Sequence, residues 1–345
     1  MSALPQWPCA YPQPDVRALL KQQQNDFCVN EIPLGLPQGD GEHVWLDVEK
    51  RGANTAWIAG RIAQLAGVAD MDVGYAGLKD RHAITRQWFS VYLPKGETPD
   101  FSQLNDHEMT VFSQQRHSKK LRRGDLLGNR FVIRLRQVTM ADAEAYQQLQ
   151  HNLAAVQQHG VPNYFGEQRF GHDGGNIEAG RAMLAGETRV RNRQKKSIYL
   201  SAVRSLIFND VVAARIQAGL WGQTMDGDVM VHEQATGPLW GRGRLTSRDE
   251  TLQLETGVAA RYAEMCDGLE HAGLQQERRA LAALPSHFQW HWLLHGDDQQ
   301  RQAQLNATEQ EHVHDLELSF SLASGYYATS IIRELMHVEE RVPAS

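Results

Sequence analysis

Three stretches in the first part of the chain alternate between apolar and polar side chains, the pattern of a strand with one buried face. They are HVWLDVEK (43–50), RQWFSVYLP (86–94) and RFVIRLRQV (130–138). Between the first two, NTAWIAGRIAQLAGV (54–68) spaces its apolar residues at helical intervals after an Asn or Thr cap. The order strand, helix, strand, strand predicts an α+β fold rather than a regular βαβ repeat.

The middle of the chain is more helical, and its last part returns to strands. Residues 141–160 predict an amphipathic helix that Gly160 ends, and the stretches 195–217 and 268–284 predict two more helices. Two further strands are predicted in HFQWHW (287–292) and DLELSFSL (315–322). A strand-rich part broken by a helical block from about residue 160 to 283 predicts a second domain inserted into the first.

Length and composition support a folded protein of two domains, or of one domain carrying a large insertion, in a reducing compartment. The 345 residues exceed the usual size of one domain. Cys9, Cys28 and Cys266 are too scattered for a metal pair and too few for a disulfide framework. No apolar run approaches the roughly 20 residues that cross a bilayer. We therefore predict a soluble cytoplasmic protein without a membrane partner.

Charge is distributed unevenly along the chain. The net charge of −6 argues against unselective coating of nucleic acid, which depends on phosphate neutralisation. Two stretches without acids are nevertheless strongly basic, QQRHSKKLRRG (114–124) and TRVRNRQKKS (188–197). Their cations are Arg116, Lys119, Lys120, Arg122 and Arg123, and Arg189, Arg191, Arg193, Lys195 and Lys196. Each stretch is either a solvated surface or part of a positive track for a polyanion.

Histidine spacing suggests two metal sites, and the local pattern opposes both. His287, His291 and His295 would share one face of a helix, but the aromatic residues around them alternate as in a strand, which spreads the three imidazoles apart. His312 and His314 would share one face of a strand, but no third ligand is identifiable. Phosphate-binding, dinucleotide and esterase motifs are absent from the sequence. We predict no metal and no cofactor.

Three other stretches combine reactive and base-binding residue types. GYAGLKDRHAITRQWFS (74–90) places Asp80 between two cations at a Gly-rich corner. LKQQQNDFCVNEIP (20–33) contains a lysine and an aromatic residue, and GNRF (128–131) contains an amide and an aromatic residue. Each stretch alone is more often structural. As a set they supply a carboxylate, a cation, an amide for a base edge and an aromatic face.

Together, GLKDRHAITRQWFS, NDFCVNEI, GNRF and VPNYFGEQRFG resemble the TruD family of tRNA pseudouridine synthases. The resemblance runs from about Lys21 to SGYYATSIIREL (324–335) and is weaker in the middle of the helical block. It implies an α+β pseudouridine synthase fold whose central mixed, largely antiparallel sheet has flanking helices and is interrupted by an inserted α/β domain of the TRUD type. The implied catalytic domain is discontinuous, 1–157 and 284–345, and the inserted TRUD domain spans 158–283.

The same resemblance implies an activity and its site. The expected reaction is isomerisation of one uridine to pseudouridine in tRNA, at position 13 in bacterial members, by a monomer without a small-molecule cofactor. The catalytic aspartate falls on Asp80, and Phe27, Asn129 and Phe131 would contact the target nucleotide. Tyr327 stands where the family usually has Phe, so that a ring for stacking is kept.

The residues are consistent with this chemistry. Moving the ribosyl bond from N1 to C5 of uridine needs an ionised carboxylate as a nucleophile or as a base at the sugar, and the sequence leaves both routes open. A neighbouring cation keeps a carboxylate ionised, and we expect Lys21 in this position rather than Lys79 or Arg81. The target nucleotide must be flipped out, after which stacking on a ring such as Phe131 is worth about 1 to 3 kcal/mol.

Two rival interpretations stay open at this point. One is a non-catalytic RNA-binding or RNA-chaperone protein of the same fold. The other is a glycosidase, which needs two cooperating acids. Glu31 or Glu167 would then be the partner of Asp80.

Overall fold

The structure, a computed structural model, describes residues 4–293 and 314–340. These residues divide into two compact units. The unit called here the sheet unit comprises residues 14–150, 285–293, 314–328 and 336–340. The unit called here the insert unit comprises residues 4–13, 151–284 and 329–335.

Two short segments assigned from the sequence to the catalytic domain pack within the insert unit. The N-terminal segment 4–13 and the segment 329–335 meet where the backbone N–H groups of Ala10 and Tyr11 donate to the Glu334 carboxylate, at 2.8 and 3.2 Å. The hydroxyl of Tyr11 also donates to the carbonyl of Gly160, at 2.6 Å. Residues 4–13 and 329–335 therefore contribute to the unit that the sequence outlines as 158–283.

One mixed sheet of ten strands organises the sheet unit. The strands are β1 (Val16–Leu20), β2 (Phe27–Pro33), β3 (His43–Arg51), β4 (Val73–Tyr75), β5 (Ile84–Tyr92), β6 (Met109–His117), β7 (Leu126–Met140), β13 (Ser286–Leu293), β14 (His314–Ala323) and β15 (His337–Glu340). Their order is β13-β14-β7-β2-β5-β3-β6, with β1 paired to β7 and β15, and β4 to β5. Neighbours are antiparallel except β2 with β5 and β1 with β15. The predicted mixed, largely antiparallel sheet is confirmed.

Helix α1 (Thr55–Ala66) covers one face of β3 and β5 in this sheet. Ile58 and Ile62 on its inner face are fully buried. They pack in one cluster with apolar residues of β3 and β5, namely Val44, Leu46, Val48, Phe89 and Val91. The alternation of apolar and polar residues in 43–50 thus correctly predicts which face of β3 packs against α1. Trp45 on the opposite face is buried as well, against Trp88, so β3 is covered on both sides.

The insert unit is built mainly from helices. Helix α2 (Ala143–His159) ends within it, and the other helices are α3 (Gly175–Leu184), α4 (Arg193–Gln217), α5 (Asp249–Ala260), α6 (Ala263–His271) and α7 (Ala328–Leu335). Its short strands are β8 (Val161–Pro162), β9 (Val229–Val231), β10 (Gln234–Leu239), β11 (Glu277–Ala280) and β12 (Ala282–Ala283). Helix α4 is long and apolar enough to cross a membrane by length and composition, but 67% of its apolar window is buried inside the fold. This burial is what a core helix requires.

The helix predicted over 268–284 is wrong in its second half. Helix α6 ends at His271, and Gly273 adopts a left-handed φ of +83°, which glycine tolerates at a helix end. Residues 277–280 then form β11 and pair antiparallel with β10. Arg278 of this strand lies 2.8 Å from the buried carboxylate of Glu255 on α5. Tertiary pairing therefore outweighs the helical spacing of the leucines.

The histidine clusters do not form a metal site in the part of the chain that the structure describes. The stretch 287–292 is strand β13, as its alternation predicts, with His287 and His291 exposed. His295 and His312 lie outside the described residues. Within residues 4–293 and 314–340, no group of three His, Cys, Asp or Glu side chains is placed to hold a metal ion.

Candidate active site

Asp80 lies in the loop that joins β4 to β5, and buried polar side chains hold this loop in place. The backbone N–H of Lys79 donates to Thr55 Oγ1 at 3.1 Å, and Thr55 in turn donates to Gln87 Oε1 at 3.1 Å. Gln87 Nε2 donates to the carbonyl of Gly77, also at 3.1 Å. Thr55 and Gln87 are both buried. The start of α1 and the middle of β5 therefore determine where Asp80 stands.

Lys50 of β3 also holds the Asp80 loop in place. It was not predicted from the sequence as a site residue. Its ammonium donates to the backbone carbonyls of Asp80 and Ala53, each at 2.7 Å. The side chain is fully buried, and this burial lowers the pKa of Lys50 to about 8 against the opposing charge of Asp80. The sequence does contain a signal for its burial, because Lys50 falls on the same buried face of β3 as Val44 and Val48. A lysine at such a position must find acceptors inside the protein.

The Asp80 carboxylate is bound by one ammonium and one backbone amide. Lys21 Nζ lies 2.7 Å from Asp80 Oδ2, and the N–H of His82 donates to Asp80 Oδ1 at 3.0 Å. Burial raises the pKa of Asp80, but the hydrogen bond and charge of Lys21 and the His82 amide outweigh it, and the pKa is lowered overall. With 34% of its side chain exposed, Asp80 is an ionised carboxylate that a ligand can reach.

Lys21 is itself tightly positioned. Its side chain is 10% exposed, and its ammonium also lies 3.5 Å from Glu340 Oε1 and 4.9 Å from the centre of the Phe27 ring. Its backbone has a φ of +58°, a left-handed conformation that costs a non-glycine residue about 1 to 2 kcal/mol. Such strain persists only where the surroundings hold the residue in place. The structure thus places Lys21, and not Lys79 or Arg81, on Asp80.

Phe27 and Phe131 come from neighbouring strands and are largely covered. Their ring centres lie 6.3 Å apart with an edge-on orientation, and Phe131 stacks on Phe320 at 5.4 Å. Both are buried, with Phe131 7% exposed, so little of either ring is open to a base. Phe320 of β14 completes this aromatic cluster, which sequence reasoning missed because β14 is remote in the chain.

Asn129 sits near the start of β7, and its amide is held by a buried ion pair. Lys79 Nζ donates to Asn129 Oδ1 at 2.8 Å and lies 2.8 Å from Glu31 Oε2. The backbone N–H of Trp88 donates to the other oxygen of Glu31 at 3.2 Å. The Glu31 carboxylate is thus engaged as an ion-pair partner, which argues against its use as the second acid of a glycosidase. Glu167 lies in the insert unit.

Gly128 before Asn129 allows β14 to pass close to β7. An added Cβ would collide with the carbonyl of Leu322, the residue paired with Asn129. The glycine of GNRF is therefore required by the sheet itself.

Tyr327 lies at the surface, directly before α7. It is 42% exposed. Within the described part of the chain, no ring contact joins it to Phe27 or Phe131. The structure therefore brings Lys21, Phe27, Asn129 and Phe131 into one region of the sheet around Asp80 and leaves Tyr327 at its surface.

The first basic stretch borders a cavity next to α1 and to β4, the strand that precedes the Asp80 loop. The cavity has a volume of about 420 Å³ and is lined by Lys120, Arg122 and Arg123, by Asp70, and by residues of α1 and β4. Lys120 donates to the carbonyl of Met71. Arg116 donates to the carbonyls of Gly41 and Leu93, so its guanidinium stabilises the fold. The exposed cations of this stretch are therefore concentrated in Lys119, Arg122 and Arg123.

The second basic stretch lies at the surface of the insert unit. It precedes and begins α4, where the side chain of Asn192 caps the helix by accepting from the N–H of Lys195 at 3.0 Å. All five of its cations are exposed. The positive end of a helix adds to their attraction for anions.

Comparison with known proteins identifies the family. Residues 9–192 and 188–335 match the family described as tRNA pseudouridine synthase D (TruD). The chain belongs to the TruD family of tRNA pseudouridine synthases. The family match extends over both the sheet unit and the insert unit.

Individual relatives agree with this assignment. A TruD-family relative named tRNA pseudouridine synthase D from Aeromonas hydrophila is 43% identical, with 95% of this chain and 93% of the relative covered. Another of the same name, from Cellvibrio japonicus, is 42% identical over 97% of this chain and 94% of its own. A crystal structure assigned to tRNA pseudouridine synthase D (TruD) from Methanosarcina mazei aligns with a TM-score of 0.70 over 97% of this chain and 96% of that one. At 19% identity, it shows a shared fold.

These matches confirm the predicted TruD family, the α+β pseudouridine synthase fold and the enzyme class, an isomerase that acts on tRNA. The roles of Asp80, Lys21, Phe27, Asn129, Phe131 and Tyr327 stay predictions.

Proposed function

We propose that this protein converts the uridine at position 13 of tRNA to pseudouridine, with Asp80 as the reacting carboxylate. The observation that carries the proposal is the contact of 2.7 Å between Lys21 and a partly exposed Asp80 with a lowered pKa. An ionised carboxylate accessible to a ligand is the group that this isomerisation requires.

The reaction is balanced without a redox partner or a phosphate. The bond between C1′ and N1 of uridine breaks, a bond between C1′ and C5 forms, the proton on C5 is lost and N1 gains one. Asp80 acts either by attacking C1′ or by removing a proton from the sugar, and its ionised state serves both routes. Lys50 and Lys21 act on Asp80 in different ways, because Lys50 holds its backbone carbonyl and Lys21 its carboxylate.

The target nucleotide leaves the RNA stack before it reacts. Flipping costs a few kcal/mol, which contacts in the pocket offset. Asn129 supplies a polar contact to the base edge, and Phe27, Phe131 and Tyr327 supply apolar contacts, of which Tyr327 offers the most exposed ring. We place this chemistry in the domain formed by 1–157 and 284–345, and we assign 158–283 to the TRUD domain. The protein acts as a monomer in the cytoplasm.

A pseudouridine map of cellular tRNA tests this function. In cells that lack the gene, one tRNA pseudouridine, at position 13, disappears and returns when the wild-type protein is supplied. An identical map with and without the gene would reject the proposal and favour the non-catalytic RNA-binding alternative.

The exposed arginines beside the 420 Å³ cavity are expected to bind RNA phosphates. Reversing both charges, Arg122→Glu with Arg123→Glu, should weaken tRNA binding and make the slope of log affinity against log salt shallower by about one unit per lost contact. Lys95→Glu, an exposed reversal in the same unit, is the matched control. Equal salt slopes for the double variant, the control and the wild type would exclude a role of these arginines in binding.

A further inference from the structure

The side chain of Lys79 links two residues that are paired on neighbouring strands. Glu31 on β2 and Asn129 on β7 are directly paired in the antiparallel register. Lys79 reaches both from the Asp80 loop, with its ammonium 2.8 Å from Glu31 Oε2 and 2.8 Å from Asn129 Oδ1. The side chains of Lys79 and Glu31 are 6% and 1% exposed. The ion pair is therefore shielded from solvent, while Asn129 is half-buried.

This contact determines which way the Asn129 amide faces. A lysine ammonium has three N–H donors and no acceptor, so only the oxygen of the amide can face it. The NH₂ group of Asn129 must then point away from Lys79. An amide with no such neighbour can present either its donor or its acceptor, because the two ends are nearly the same in shape.

We propose that Lys79, held by Glu31, is a positioning residue that makes Asn129 present only N–H donors to the target base and so selects uracil. The inference rests on the proposed function, in which Asn129 contacts the flipped nucleotide. Uracil carries carbonyl oxygens at C2 and C4, and both accept hydrogen bonds from such a donor. Cytosine keeps the carbonyl oxygen at C2 but carries an amino group at C4. An Asn129 donor that faces the C4 edge of the base would then meet another donor, and both groups would be left unpaired.

The same donor suits the rotation that the reaction requires. When the detached uracil turns about the axis through N3 and C6, N1 and C5 exchange places, and O2 and O4 exchange places with them. A donor fixed on one side of the ring therefore meets a carbonyl oxygen before and after the turn. A fixed acceptor at this position would be unpaired in both orientations.

A purely structural ion pair would behave differently. Buried ion pairs contribute little stability compared with apolar residues of similar shape, and removal of one partner leaves an unpaired charge inside the protein. A structural role of Lys79 predicts a change in stability alone. The positioning role predicts a change in the preference for uridine over cytidine.

The experiment measures that preference in protein that cannot turn over its substrate. All variants carry Asp80→Asn, and their affinities are compared for a tRNA that the wild type modifies and for the same tRNA with cytidine at the modified position. Lys79→Met combined with Glu31→Gln removes both charges together, so that no carboxylate is left unpaired. We expect its preference for uridine to fall by about tenfold, and Lys79→Arg to keep the preference because arginine is also only a donor.

Asn129→Asp keeps the contact with Lys79 and presents only acceptors, so it should lose the preference even if the double variant does not fold. An unchanged ratio of uridine to cytidine affinity in the folded double variant, or in Asn129→Asp, would overturn the proposal. Equal affinities of the Asp80→Asn protein, without further substitutions, for the uridine and cytidine tRNAs would also overturn it. If the wild type modifies no tRNA, the proposed function itself fails, which is a different outcome from modification with an unchanged ratio.

Discussion

Asp80→Asn abolishes pseudouridine formation, with an expected loss of at least about a thousandfold in rate. The affinity for tRNA should stay within about threefold of wild type, because the substitution removes no RNA-binding cation. An amide is neither a nucleophile toward C1′ nor a base at the sugar. The amide oxygen can still accept from Lys21, which keeps its contacts with Glu340 and the Phe27 ring, so the fold should be retained. Single-turnover release of tritium from C5 of uridine in tRNA measures the loss directly.

Asp40→Asn is the matched control, since Asp40 is an exposed carboxylate of the same unit. It should release tritium at the wild-type rate. Residual activity of Asp80→Asn within about tenfold of wild type would exclude Asp80 as the reacting group, because general bases and nucleophiles contribute far more than this. Wild-type protein that binds tRNA without releasing tritium would instead favour the RNA-chaperone alternative.

Glu334→Gln raises the stability of the insert unit at neutral and alkaline pH. Glu334 is 1% exposed, and its carboxylate accepts from the N–H groups of Ala10 and Tyr11. Burial raises the pKa of Glu334 to about 7 from its ordinary 4.5, against the opposing effects of those amides and of Arg333. Between these two values the folded state binds more protons than the unfolded state, so this group lowers the free energy of unfolding as pH rises from 4.5 to 7.

Above pH 7 the accumulated penalty is about 3 kcal/mol, from about 1.4 kcal/mol per pKa unit. The glutamine side chain keeps an oxygen for the same two amides and carries no charge. Urea denaturation should therefore show that Glu334→Gln is more stable than wild type by about that amount at pH 8, and similar to wild type near pH 4.5. Glu264→Gln, at an exposed position of α6, should show no such difference. A constant difference between Glu334→Gln and wild type at both pH values would contradict the assignment.

Local pattern alone was enough for much of the secondary structure. The period of two in 43–50 and 130–138 and the helical spacing in 54–68 and 141–160 correspond to β3, β7, α1 and α2. These elements were predictable because each buries one face, and the face repeats with the period of the element. The prediction over 268–284 failed because residues 277–280 pair with β10 and Arg278 lies against the buried Glu255, and these tertiary contacts outweigh the helical spacing.

The candidate site was predictable as a set of residue types, but of its contacts only that of Lys21 with Asp80 was predicted. The carboxylate and the amide are indicated by four motifs taken together, GLKDRHAITRQWFS, NDFCVNEI, GNRF and VPNYFGEQRFG, because a long, ordered set rarely agrees by chance. Lys21 was expected on Asp80 from the direction of neighbouring side chains in an extended segment. The burial of Phe131 under Phe320 was not predicted, because it depends on β14 lying beside β7.

The sequence by itself determined the family, the reaction class and the residues available for it, because these follow from the identity and order of side chains. Only the tertiary structure decided that Lys79 meets Glu31 and Asn129, and that Lys50 meets the backbone of Asp80. Lys21 and Asp80 are 59 positions apart, and Lys79 and Asn129 are 50 apart. Neither distance along the chain favours one pairing over another. The strand order β7-β2-β5 brings these residues together, because the strands of a sheet can pair whatever their separation along the chain. A buried lysine is stable there only if carboxylate, amide or carbonyl oxygens accept its hydrogen bonds.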